Sequence, residues 1–291
     1  MDYASSDFKR QDLFPPRIGS IESRNHSPRR NVLDGAKTTM TKAWLALVLT
    51  ALTLAQLSGA DKRGETAAAR KYLAHSGFRW TCEGSVVFRL CYAPELKSVA
   101  PSFRHDAQQS LQKIVRFAGA AGYQAKPLIY IFILESVPRL RELIGVSAYG
   151  ASEPKDHAIF FVSGHLEALT HELSHEVLTG LWGPAEPWVA EGCAAYVAGS
   201  ADVDAQSRVL LQSGYLPLVN MVNPEWNARL YPASKIYPEL GSFVKYLRST
   251  YGIARLRRVW QGGSRSIPRV CLRSLEQLEH DWQASLNRSR S

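Results

Sequence analysis

Two histidines four residues apart, with a glutamate directly after the first, form the group in this chain best suited to metal chemistry: His171-Glu172-Leu173-Ser174-His175. On a helix both imidazoles leave the same face about one turn apart, where they can share one tetrahedral cation. Glu172 lies beside that face. A carboxylate there can take a proton from an activated water and return it to a leaving group. A catalytic zinc site also needs a third protein ligand and one open position. Glu191 supplies the ligand if the chain reverses at Trp182-Gly-Pro-Ala-Glu186 and brings the next helix back alongside. Gly192, Ala194 and Ala195 are small enough to let the two helices approach.

The elements that must hold these residues are legible in outline. Leu166, Leu169, Leu173 and Val177 form one apolar stripe, and Gly183-Pro184 ends the helix that carries it. Pro187 suits the first turn of the following helix, which runs to about Gly199. Upstream, residues 66–72 read as a helix and 78–92 as paired strands. Ser102 can cap a helix running to about Ala121, with Gly122 ending it. Residues 127–134 are continuous, β-branched and aromatic, the pattern of a buried central strand, and 157–162 are a second strand. A short helix is expected at 138–144. Further helices are expected near 202–212, 237–250, 253–260 and 272–286. Strands first and helices second predict an α+β domain, strand-rich over about 78–163 and helical over about 165–291.

H-E-L-S-H followed by P-W-V-A-E-G-C-A-A-Y resembles the gluzincin metallopeptidases, and within them the peptidase-MA-like group of exported proteins. The resemblance covers about residues 91–260. It implies one zinc ion held by His171, His175 and Glu191, with Glu172 as general base. It implies a small mixed or antiparallel sheet whose edge strand lies over the cleft, followed by a thermolysin-like helical half. The substrate-binding edge strand would correspond to Ile159, Phe160, Phe161 and Val162. Tyr237 is the first candidate for an oxyanion-stabilising phenol and Tyr231 the second. The substrate implied is a peptide or protein. Two features depart from the family pattern. Fifteen residues separate His175 from Glu191, a tighter connection than usual, and Ala195 stands where thermolysin-like members carry an acid that orients a ligand histidine. These departures keep a second reading open, a weakly active or inactive zinc-bearing scaffold of the cell envelope. His157 reads as a structural histidine and His165 as a helix-start residue. No G-x-S-x-G, phosphate-loop or dinucleotide motif occurs.

Residues 1–39 carry Pro15-Pro16, Ser27-Pro28 and scattered Arg and Ser with no apolar period, and read as a disordered or over-extended N-terminus. Met40-Thr41-Lys42, the uncharged run 43–57 and Ser58-Gly59-Ala60 have the order of a secretory signal peptide spanning 40–60. Met40 sits where the initiator of such a signal would sit, as an alternative start to Met1. An uncleaved signal anchor is the other reading of the same run, although it is short for a membrane span. The expected mature domain is 61–291, exported to the periplasm or beyond, with no stable membrane span once the signal is removed. Its four cysteines suggest Cys82–Cys91 and Cys193–Cys271 bridges in an oxidising compartment. Ten Lys and Arg against three acids after residue 244 offer a flank for an anionic envelope surface, or simply a solvated helix face. No nucleic-acid motif accompanies the charge.

Overall fold

The strand 129–134 organises the domain. In the computed structural model of the protein every residue of this strand, β3 (Ile129–Leu134), is buried. Its side chains alternate between two cores, as the pleat requires. Ile129, Ile131 and Ile133 join the larger apolar cluster, and Tyr130, Phe132 and Leu134 join the smaller one on the opposite face. A strand covered on both faces must be apolar throughout, which is why the sequence reads as a continuous run rather than an alternating one. Each Ile or Phe buried this way stabilises the fold by about 1.5–3 kcal/mol.

The structure describes residues 67–85, 87–125, 128–199, 203–223 and 233–288. All of them belong to a single compact unit of the chain. The expected N-terminal extension 1–39, the expected signal segment 40–60 and Tyr231 lie outside them. Among the described residues the sheet has five strands: β1 (Thr81–Gly84), β2 (Phe88–Tyr92), β3, β4 (Gly150–Glu153) and β5 (Ala158–Val162). Their order is β1-β2-β3-β5-β4. The three inner strands run parallel, and each outer strand pairs antiparallel with its neighbour, so the sheet is mixed and the fold α+β. Cys82 faces Cys91 across the β1–β2 ladder, and the two are joined by a disulfide.

Helices α1 (Ala67–Leu73) and α3 (Val137–Ile144) contribute Tyr72, Leu140 and Leu143 to the smaller core. Helix α2 (Ala100–Ala118) lies against the other face and ends at Gly119, three residues earlier than expected. Gly119 takes φ 66°, the left-handed C-cap conformation that glycine adopts without a Cβ penalty. Then come α4 (Leu166–Trp182), α5 (Pro187–Gly199), α6 (Val203–Ser213), α7 (Leu218–Met221), α8 (Ala233–Gly262), α9 (Ile267–Cys271) and α10 (Leu275–Arg288). The two helices expected near 237–250 and 253–260 form one long element broken at Gly252, where φ is 78°.

Two expectations are corrected. The predicted edge strand 159–162 is internal: β5 pairs β3 on one side and β4 on the other, and the outer strand is 150–153. Gly150-Ala151-Ser152-Glu153 carries no apolar or β-branched signal of its own, because an outer strand can be held by its partner's backbone alone. Cys193 and Cys271 do not pair. Both are free, buried thiols packed as small apolar side chains in the helical core.

Candidate metal centre

The expected helix forms as α4, and its His171 and His175 side chains emerge one turn apart. The chain then turns through 183–186 and returns as α5, with Pro187 at its start and Glu191 in its second turn. Three side-chain atoms converge. His171 Nε2 lies 3.0 Å from Glu191 Oε2 and 3.1 Å from His175 Nε2, and His175 Nε2 lies 3.5 Å from the same carboxylate oxygen. Ligand atoms about 2.0–2.1 Å from a tetrahedral zinc would stand roughly 3.3–3.4 Å apart. The three observed separations bracket that value. His171, His175 and Glu191 form the one group among the described residues whose donor atoms converge in this way, and they can hold a metal ion.

The turn that returns α5 is fixed by α8. The last carbonyls of α4, which have no helical partner of their own, accept from α8 side chains. Arg257 donates to Leu181 O, Gln261 Nε2 to Trp182 O at 3.2 Å and Trp260 Nε1 to Gly183 O at 2.8 Å. Glu186 anchors the same turn by accepting from Trp188 Nε1 and from the Ser264 backbone N–H, both at 2.8 Å. This is how the short connection between His175 and Glu191 is accommodated.

Gly192 of α5 serves a different neighbour from the one expected. A Cβ on Gly192 would come within 2.7 Å of Val244 Cγ2 and 3.0 Å of Leu240 O, and one on Gly241 within 3.2 Å of the Tyr196 nitrogen. The close approach they permit is therefore between α5 and α8. That packing carries Tyr237 to the site, where its ring meets the His171 imidazole edge-to-face at 5.6 Å.

Glu172 is 1% exposed and lies under the outer strand. A methyl group at Gly150 would approach Glu172 Cγ to 3.0 Å and Ala168 Cβ to 3.1 Å. β4 thus crosses the helix that carries His171 and His175 beside the candidate base, the place assigned from sequence to 159–162. The expected strand residues Ile159, Phe160, Phe161 and Val162 are all buried core side chains one strand further in. Sequence reasoning missed Gly150. The one available signal was a Gly in the polar loop between the two apolar strands, too weak to read as a strand.

His157 and His165 make their contacts away from the three converging donors. His157 Nδ1 and Glu176 Oε1 are 2.5 Å apart, linking the start of β5 to α4. Burial pushes the Glu176 carboxyl upward against the opposing pull of His157. His165 precedes α4, makes no side-chain capping bond and stacks on Tyr149 at 3.8 Å. Burial lowers its pKa below the usual histidine value. Neither a scan against protein-family models nor a search of the curated proteins finds a match to this chain. No described helix is long and apolar enough to cross a membrane.

Proposed function

We propose that this chain is an exported zinc metallohydrolase of the gluzincin type, acting on peptide bonds. The observation that carries the reading is the convergence of His171, His175 and Glu191 at tetrahedral spacing with the buried Glu172 alongside. Two imidazoles and one carboxylate are a donor set that zinc accepts, leaving a fourth position for water or substrate. Zinc bound there supplies a Lewis acid that polarises a carbonyl and brings the pKa of water toward about 7.

The remaining steps belong to the protein. Glu172 takes the proton of the attacking water and hands it to the departing amine. Tyr237, packed against His171, donates its phenol to the developing oxyanion. Gly150–Glu153, the outer strand of the sheet, pairs an extended peptide through backbone groups and lays it across Glu172. The Cys82–Cys91 disulfide suits an oxidising compartment and so supports export.

Elemental analysis together with a peptide-library assay tests the proposal. Wild type is expected to hold one zinc per chain, His171→Ala and Glu191→Ala to hold none, and Glu172→Gln to keep zinc while losing cleavage. A wild type that holds zinc yet cleaves nothing across the library would reject the peptidase reading in favour of a zinc-bearing scaffold. Ala195, which leaves no acid at the position that orients a ligand histidine in thermolysin-like enzymes, favours that scaffold reading.

A further inference from the structure

Leu272 is 73% exposed, more than any other large apolar side chain among the described residues. It caps α9 at φ 56°, in the left-handed region where glycine is the ordinary occupant. A leucine there combines backbone strain with an apolar side chain in water. Core packing does not account for it, because the segment is anchored by the buried Ile267 and Cys271.

Its neighbours are cationic. Residues 264–271 form a 3-10 turn running into α9, and the exposed Arg265, Pro268, Arg269 and Leu272 recur there at helical spacing. Arg273 follows. Arg255 of α8 lies close enough for its charge to act on the Cys271 thiol, and the exposed Arg258 stands one turn further along. From 240 to 275 the chain holds eight Lys and Arg and no Asp or Glu. The acids near this corner come from other segments. Glu186 accepts from Trp188 and the Ser264 backbone N–H, and Glu279 from the Leu218 backbone N–H. Asp281 lies 4.0 Å from Arg273 Nε, and Glu276 is exposed at the start of α10. Arg255, Arg258, Arg265, Arg269 and Arg273 outnumber these carboxylates, so the face is positive. Arg258, Arg265 and Arg269 make no ion pair among the described residues.

Guanidinium groups bind phosphates through paired N–H donors, and each cation near an anionic bilayer adds attraction. A soluble polyanion would satisfy the arginines but leave Leu272 in water. The one aromatic residue between 252 and 275, Trp260, is 1% exposed, so the face offers no ring for stacking on nucleic-acid bases. An apolar tip flanked by arginines fits the bilayer interface. There Leu272 enters the acyl region while the guanidinium groups stay at the phosphates. We infer that the corner between α8 and α9 docks the protein peripherally on an anionic phospholipid surface.

The experiment attaches a polarity-sensitive dye to Leu272→Cys in the full-length chain. Cys193 and Cys271 are buried and Cys82 is bonded to Cys91, so the new thiol is labelled selectively. Vesicles of phosphatidylcholine mixed equally with phosphatidylglycerol are expected to shift the emission to the blue, and phosphatidylcholine alone to leave it unchanged. Adding Arg265→Gln and Arg269→Gln is expected to raise the lipid needed for half the shift about 25-fold, at about fivefold per arginine, with an unchanged thermal melt. Because the dye reads position 272, attachment through the apolar run 43–57 gives no shift of its own. His171→Ala is expected to change nothing, so the outcome does not depend on the metal or on peptidase activity. The inference is overturned if no shift appears, if neutral vesicles give the same shift, or if the arginine variant leaves the lipid requirement unchanged. It is also overturned if heparin or duplex DNA at equal charge reproduces the shift.

Discussion

At the scale of single residues, the tightest constraint near the metal group is the absence of a side chain at position 150. Gly150 has no positive φ to require glycine; what requires it is Glu172 Cγ and Ala168 Cβ, 3.0 and 3.1 Å from where a methyl would sit. Gly150→Ala is expected to lower stability by about 1–3 kcal/mol, the usual range for overpacking. It should also reduce peptide cleavage while zinc stays at one per chain, because Glu172 and not a ligand is displaced. Thermal melts and metal analysis on one sample check both halves. Tyr237→Phe tests the phenol. Loss of an oxyanion donor should lower kcat by about 10²-fold with little change in KM. A ring that merely packs on His171 predicts unchanged kinetics, since Phe preserves the edge-to-face contact.

At the scale of elements, covalent and packing constraints fall in different places. The disulfide staples only the β1–β2 hairpin, closing a loop of nine residues' separation. Replacing Cys82 and Cys91 together by Ser should lower stability by about 2–3 kcal/mol on loop-entropy grounds, with no effect on zinc content. The other two thiols are held by the helical core, and burial pushes Cys271 up to about 11 and Cys193 higher still. A thiol reagent should therefore find no fast-reacting cysteine in the native protein and two after denaturation without reductant. One fast-reacting thiol in the native state would contradict the packing described for α5 and α9. The candidate metal site depends on none of these sulfurs. It depends on α8, whose Trp260, Gln261 and Arg257 close the C-terminus of α4.

At the scale of the whole molecule, one buried acid couples pH to stability. Glu239 on α8 is 1% exposed, and both its oxygens accept from the Leu216 backbone N–H in the connection between α6 and α7. Burial pushes its pKa from 4.5 up to about 7, against the opposing pull of that N–H and of Lys235. The folded pKa exceeds the unfolded one, so the folded state binds the proton more tightly. The stabilisation that this group contributes is full below about 4.5 and lost as pH rises through about 7. Glu239→Gln, which retains an acceptor for Leu216, is expected to flatten the fall in melting temperature between pH 5 and 8. Parallel wild-type and variant curves would show that Glu239 is not the source of the fall.

What the sequence determined by itself was local. The 3.6-residue period placed His171 and His175 on one helix face, and the unbroken apolar run marked β3 as central. The two neighbouring apolar strands and the return helix bearing Glu191 followed from Gly and Pro punctuation. The register pairing of Cys82 with Cys91 followed from a hairpin short enough for its ends to meet. The tertiary structure decided what depended on partners distant in the chain. The outer strand could not be read because Gly150–Glu153 extends through β5's backbone and not through its own side chains. Gly192 gave no hint of whether its close neighbour was α4 or α8, since a missing side chain names no partner. An even number of cysteines likewise carries no geometry, so two of the four stand as free thiols in the core. The three converging side chains were nameable from spacing, but bringing Glu191 to 3.0 Å from His171 required a turn held by side chains seventy to eighty residues away in the sequence.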